Sequence, residues 1–134
     1  MWNDGTCAQV KPTCLIGAVG RDPGCFDKCI VEALVRVNPS RRPVIFALSN
    51  PMTQAEINAQ DAYDWSNGGV IYGSGTAMPP SLVGDRERIS SQVNNMYIFP
   101  GVSFAAISCK ASTIPDSFFL AAAQVHLNIE KSYL

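Results

Sequence analysis

Val44-Ile45-Phe46-Ala47-Leu48 is a run of apolar residues with no polar alternation, and it stops abruptly at Ser49-Asn50-Pro51. A strand with one wet face alternates apolar and polar residues. An unbroken run is instead the pattern of a strand covered on both faces, the ordinary condition of a parallel sheet. Parallel neighbours cannot be joined by a tight turn and need a crossover, usually a helix, so strands and helices should alternate along this chain.

The flanking segments fit that requirement. Pro12-Thr13-Cys14-Leu15-Ile16-Gly17 reads as a short buried strand halted by glycine, followed by a loop punctuated by Gly17, Gly20, Pro23 and Gly24. Asp27 is a good N-cap for a helix with an apolar stripe of Phe26, Ile30, Ala33, Leu34 and Val37, which Asn38-Pro39-Ser40 should end. Thr53-Gln54-Ala55-Glu56 has capping-box spacing, and Asn58-Ala59-Gln60-Asp61 is a looser version, so a second helix should begin here and run to about Trp65. Val70-Ile71-Tyr72 is a third buried strand leading into a Gly73-Ser74-Gly75 turn. Residues 1 to 12 are polar and mixed, and 76 to 92 read as loop. Val102 to Ser108 suits a tightly packed helix. The clearest helix starts at Pro115, with Phe118, Ala122, Val125 and Ile129 on one face. The order predicts an α/β fold, a partial doubly wound, Rossmann-like parallel sheet with flanking helices and a C-terminal helical segment. The glycine-rich G-x-G-x-x-G phosphate turn of a dinucleotide-binding fold is missing from the sequence.

Composition narrows the partners. A chain of 134 residues is one small domain or part of one. With 47% apolar and 16% charged residues it is globular rather than disordered, and a net charge of -1 gives no electrostatic footprint for nucleic acid or anionic lipid. No apolar run is long enough to span a bilayer, and the start lacks the basic and apolar regions of a signal peptide. Five cysteines without C-x-x-C spacing suit a reduced, intracellular setting, in cytoplasm, mitochondrion or plastid alike. Cys25 and Cys29 share helical spacing but lack two further ligands for zinc. His126, the one histidine, has Glu130 one turn on and reads as an exposed salt-bridge partner.

Five ordered blocks carry a more specific signal. They are Arg42-Pro43-Val44-Ile45-Phe46-Ala47-Leu48-Ser49-Asn50-Pro51, Gln54-Ala55-Glu56 with Asp61-Ala62-Tyr63-Asp64-Trp65, and Gly69-Val70-Ile71-Tyr72-Gly73-Ser74-Gly75. Gln92-Val93-Asn94-Asn95-Met96-Tyr97-Ile98-Phe99-Pro100-Gly101 and Phe119-Leu120-Ala121-Ala122-Ala123 complete the series. Over roughly residues 11 to 130 the chain resembles malic enzymes, in the C-terminal part of their NAD(P)-binding domain. The resemblance implies oxidative decarboxylation of malate to pyruvate and CO2 with NAD or NADP and Mg2+ or Mn2+, in a homo-oligomer. It places the family's catalytic Tyr and Lys, acidic metal ligands and first phosphate-binding turn further toward the N-terminus. No catalytic residue and no metal ligand is therefore expected in these 134 residues. The chain is expected to be a fragment, an incomplete gene model or a detached half-domain, inactive alone and completed by the remaining N-terminal part or by full-length subunits. Its partners would be malate and NAD(P), with neither nucleic acid nor membrane.

By resemblance, Asn50 and the pair Asn94-Asn95 match the family's malate-contacting asparagines, with either member of the pair pointing inward. An amide suits the task because it offers both a donor and an acceptor without a titratable charge. On spacing alone, all three would be ordinary turn residues. Ser49, Gly73, Ser74 and Gly75 are the candidates for approach to the cofactor, since glycine at a strand end lets backbone pass close to a ligand; a tight turn is the equal alternative. The Gly17–Gly24 loop raises the same question, with an Arg21-Asp22-Pro23 stretch one residue longer than the family loop. Two departures stand out. Thr76-Ala77-Met78 replaces a Ser-Pro-Phe run, and Val93 stands where the family favours glycine, which would restrict the backbone there. These departures favour a second reading, a non-catalytic truncated relative that acts as an interaction or regulatory module. Half of a doubly wound sheet would also leave an open edge and uncovered apolar faces.

Overall fold

The computed structural model describes residues 4–132, and they divide into two compact units, one ending at Val93 and the other beginning at Asn94. The first unit contains helix α1 (Asp4–Val10), strand β1 (Cys14–Gly17), helix α2 (Lys28–Arg36), strand β2 (Val44–Ala47), helix α3 (Ala59–Trp65) and strand β3 (Ile71–Ser74). Three short strands follow: β4 (Ser81–Val83), β5 (Arg86–Arg88) and β6 (Ser91–Gln92). The four-stranded sheet has the order β1-β2-β3-β6 with every neighbour parallel, and β4 pairs with β5 as a separate antiparallel hairpin.

Each crossover helix forms where its caps allow. The Asp27 side chain accepts from the Ile30 N–H at 2.9 Å, leaving Ile30, Val31, Ala33 and Leu34 of α2 buried. Buried Asn38 closes that helix by donating from Nδ2 to the carbonyls of Leu34 at 2.8 Å and Pro12 at 2.7 Å, which ties the helix end to the entrance of β1. Of the two candidate boxes ahead of α3, the looser one operates. Asn58 Oδ1 accepts from the Asp61 N–H at 2.8 Å while Asn58 Nδ2 donates to the Asp61 carboxylate at 2.7 Å. The Thr53–Glu56 box is not formed. Met52–Gln54 is a single 3-10 turn, and Glu56 is buried instead.

Leu15, Ile45, Ala47 and Tyr72 point to one face of the sheet, where they join Ile30, Leu34, Ala62, Tyr63 and Val70 in one buried cluster. The opposite face departs from the expected double cover. Register aligns Cys14, Val44 and Ile71 there, and Ile16 beside Phe46 and Gly73, yet Ile16 is 63% exposed and Ile71 46% exposed. The central strand β2 nevertheless keeps partial cover on that face, where Val44 and Phe46 are half-buried, and the exposed positions belong to its neighbours β1 and β3.

Two segments without a predicted element have one. Residues 4–10 form α1, which packs on α2 and buries Cys7. The stretch read as loop holds β4, β5 and β6. The β4–β5 register pairs Val83 with Arg86, leaving Gly84-Asp85 as the two-residue turn, with Gly84 at φ 60. Gln60 of α3 anchors this hairpin edge by donating to the Leu82 carbonyl and accepting from the Leu82 N–H, both at 2.9 Å.

The second unit has a 3-10 turn at Asn95–Tyr97, then helix α4 (Phe99–Ser108) and helix α5 (Asp116–Ser132). Pro100 sits in the first turn of α4, where a missing N–H costs nothing. Val102 is the buried side chain of α4, and α5 has none.

Candidate functional site at the carboxyl edge of the sheet

All strands of the main sheet run the same way, so their carboxyl ends share one edge, the position at which open α/β sheets receive ligands. The loop leaving β1 begins at Ala18, the loop leaving β2 at Leu48, and β3 runs out through Gly75. Ladder bonds persist to that edge: Leu48 N–H donates to the Gly17 carbonyl at 2.7 Å and Gly75 N–H to the Ala47 carbonyl at 2.8 Å.

Ser49 is buried and Asn50 is exposed, joined to Pro51 by a cis peptide bond. Asn50 therefore lies exposed just beyond the end of β2, while the Ser49 hydroxyl turns inward to Glu56. Gly73-Ser74-Gly75 is not the turn expected from its glycines. Gly73 and Ser74 belong to β3, and all three are buried. Close packing explains the glycines. A Cβ on Gly75 would lie 2.2 Å from the Leu48 carbonyl oxygen, and one on Gly73 would lie 2.7 Å from Cγ2 of Val93. The Ser74 Oγ accepts from the Thr76 N–H at 3.3 Å.

Val93 does not disturb the backbone as expected for a residue in a glycine position. Its N–H donates to the Ser74 carbonyl at 2.7 Å, its side chain fills the space that Gly73 leaves, and its φ is not among the positive values. Met78, in the other departure, is buried in the core. Asn94 and Asn95 open the second unit. The Asn94 side chain accepts from the Met96 N–H at 2.9 Å, capping the 3-10 turn, and Asn95 is exposed.

The residue that sequence reasoning missed at this edge is Glu56. It is 1% exposed, and both carboxylate oxygens are used. Oε1 accepts from the Ser49 hydroxyl and from the Val19 N–H at 3.3 Å, and Oε2 faces the Ser49 N–H at 3.4 Å. Ser49 Oγ in turn accepts from the Gly20 N–H at 2.9 Å. The signal available in the sequence was the misfit of Glu56 as a capping residue, since Pro51 and the Asn58 cap leave no room for a helix starting at Thr53.

Other polar and titratable side chains lie elsewhere. Arg42 donates to the Val70 carbonyl at 2.7 Å, at the opposite, amino end of β2. The Cys25 thiol is pushed up by burial, then by Asp22 and Glu56, and Cys14 is raised by burial, which keeps both protonated at neutral pH. His126 Nε2 lies 3.9 Å from the Glu130 carboxylate, as its spacing predicts, with the Tyr97 ring 5.1 Å away. A cavity of about 480 Å³ in the second unit is lined by apolar groups such as Val102, Phe118 and Val125, with Tyr97 and His126 as its polar side chains. Among the described residues no three His, Cys, Asp or Glu side chains converge as a metal would require. No described helix is long and apolar enough to cross a membrane.

A parallel sheet joined by crossover helices, with its connecting loops gathered at the strands' carboxyl ends, defines a Rossmann-like nucleotide-binding fold. Residues 4–132 match the family described as malic enzyme, NAD binding domain. The chain is 42% identical over 122 residues to NADP-dependent malic enzyme 1 of Arabidopsis thaliana, covering 90% of this chain and 20% of the relative. It is 34% identical over 116 residues to the NAD-dependent malic enzyme of Shewanella denitrificans, covering 87% and 20%. It is 40% identical over 116 residues to the chloroplastic NADP-dependent malic enzyme of Solanum lycopersicum, again covering 87% and 20%. The chain belongs to the malic enzyme family, whose members are oxidoreductases using a nicotinamide nucleotide, and spans about a fifth of the length of these relatives.

Proposed function

We propose that the chain is the C-terminal portion of a malic-enzyme nucleotide-binding domain, serving an intracellular oxidative decarboxylation of malate to pyruvate and CO2 with NAD or NADP. The observation that carries this reading is the exposed Asn50 amide at the tip of β2, on the same edge as the loop leaving β1. Asn50 would donate to and accept from the hydroxy-acid, holding it without adding a charge that competes with hydride transfer. Asn94 has its carbonyl committed to a cap, so Asn95 is the better substrate contact of the pair. Ser49 and Gly73, Ser74 and Gly75 would shape the cofactor side from beneath, because their burial suits a wall better than direct contact.

The described residues do not fit Mg2+ or Mn2+, and the reading assigns the metal's ligands, like the proton-transferring groups, to the proposed remainder of the enzyme or to full-length subunits. Oxidation at carbon needs a positioned base, which this reading takes to lie among the family's groups further toward the N-terminus. The isolated chain should therefore make no reduced nucleotide from malate. Incubation with malate, NAD or NADP and Mn2+ tests this at 340 nm: a flat trace is expected, and metal-dependent growth of absorbance would overturn it. In an intact relative, replacing the counterpart of Asn50 by alanine should raise KM for malate at least tenfold, and an unchanged KM would remove Asn50 from the site.

A second reading, a non-catalytic truncated relative that binds other subunits, is favoured by the exposure of Ile16 and Ile71 on one face of the sheet.

A further inference from the structure

We infer that Glu56 is a positioning residue of the nucleotide site: through Ser49 its buried carboxylate holds the Val19-Gly20 segment of the β1–α2 loop at the carboxyl edge of the sheet. The inference rests on the reading of that edge as the cofactor side.

Burying a carboxylate is costly unless hydrogen bonds replace water, and replacing a buried ionic group by an apolar one is often neutral or stabilising. Glu56 nevertheless lies in the interior without a salt bridge among the described residues, held only by neutral donors. The molecule is shaped around it. A Cβ on Gly17 would fall 2.5 Å from Glu56 Cγ, so the last residue of β1 leaves the space that the carboxylate occupies. The bonds all point to one place. Val19 N–H reaches Oε1 at 3.3 Å, and Gly20 N–H reaches Ser49 Oγ at 2.9 Å, while the Ser49 hydroxyl donates onward to Oε1. The backbone of the same segment adds Gly24 N–H to the Ala55 carbonyl and Phe26 N–H to the Glu56 carbonyl, each 3.0 Å. The loop after β1 is thereby stitched to the segment that carries Asn50. Two of its N–H groups face inward onto Glu56 and Ser49, so the ligand meets a loop whose position is already set.

Both carboxylate oxygens accept, which a glutamine cannot reproduce: its amide NH2 would face a donor. The test uses the isotope-labelled full chain, with amide hydrogen exchange and NAD and NADP titrations on Glu56→Gln, Ser49→Ala and the double variant. Glu56→Gln should lower the protection of Val19 and Gly20 at least tenfold and raise the nucleotide Kd at least tenfold, with the Ile45 and Tyr72 amides unchanged. Ser49→Ala, a smaller perturbation of the packing, should do the same at Gly20. The double variant should be no worse than Glu56→Gln, since the two side chains form one connected path. Unchanged loop protection in both single variants overturns the inference, as does a loosened loop with unchanged Kd. A parent chain that binds neither nucleotide sinks instead the cofactor-side reading, and loop protection then decides alone whether Glu56 positions the loop.

Discussion

Between Leu15 and Met78 most apolar side chains join one buried cluster, whereas from Phe99 to Ile129 most of them face outward: Phe99, Phe104, Ile107, Phe119, Leu120 and Val125 are all exposed. The contrast is not one of composition, since α4 is apolar on every side and its sequence is that of a helix meant to be enclosed. It lies in what each region can bury alone. The first unit covers one face of its sheet with α2 and α3 and so owns a core. The second is a pair of helices whose apolar surfaces exceed what they can offer each other. Stability should therefore reside in the first unit, and the second should respond to local helix propensity more than to packing.

Two glycine substitutions separate these behaviours. Gly75→Ala puts a methyl 2.2 Å from the Leu48 carbonyl oxygen, a clash with backbone that only separation of the ends of β2 and β3 can relieve, at a cost of about 3 kcal/mol. Gly101→Ala meets nothing within 4 Å and lies inside α4, where alanine should favour the helix by up to about 1 kcal/mol. Urea melts followed by circular dichroism should show the first variant strongly destabilised and the second gaining helix signal. Equal losses from both would mean that the second unit is as tightly packed as the first.

The same division governs how far sequence reasoning reached. Where an element is defined by local chemistry it was legible: the Asp27 cap and stripe of α2, the apolar run of β2, and the 3.6-residue period of α5 all stand where expected. Elements that depend on distant partners were not. The β4–β5 hairpin has exposed Arg86 and Glu87, shows no apolar alternation, and is held by Gln60 from α3. Helix α1 is seven residues long with a glycine inside it, too weak a local signal to notice without its packing on α2. Asn50 was legible as a residue at a strand tip. Glu56 was hidden because its carboxylate serves Val19 and Ser49, contacts far away in sequence or opposite to its apparent capping role. The unbroken apolar run of β2 matches its burial on one face and partial burial on the other, while its neighbours β1 and β3 expose Ile16 and Ile71 on that second face, which no local pattern could foretell.

Helix caps sharpen the contrast at a smaller scale. Asp27 satisfies the Ile30 N–H at the start of α2, while Ile98 at the start of α4 makes no side-chain cap. Asp27→Ala should lower the stability of the first unit by about 1 kcal/mol, the usual worth of an N-cap carboxylate. A denaturation midpoint that does not move would show that packing of Leu34 and Ile30 alone fixes α2.

At neutral pH the smallest effect comes from Tyr72, whose influence appears only in alkali. Burial pushes its phenol up to about 12, with the Ser74 hydroxyl opposing the shift and Tyr63 and Glu56 adding to it. The phenol donates to the Ile57 carbonyl at 2.8 Å, a bond that exists only while the proton is present. Below pH 10, where the unfolded chain also keeps its phenol protonated, Tyr72 adds no pH dependence. Between pH 10 and about 12 the unfolded form loses its proton while the folded form retains it, so stability must fall as pH rises through that window. Melting temperatures measured from pH 9 to 12 should decline above pH 10, and Tyr72→Phe should flatten that decline although it starts from a lower value at pH 9. An identical slope in the variant would show that the alkaline loss arises from other groups and not from the buried phenol of the first unit.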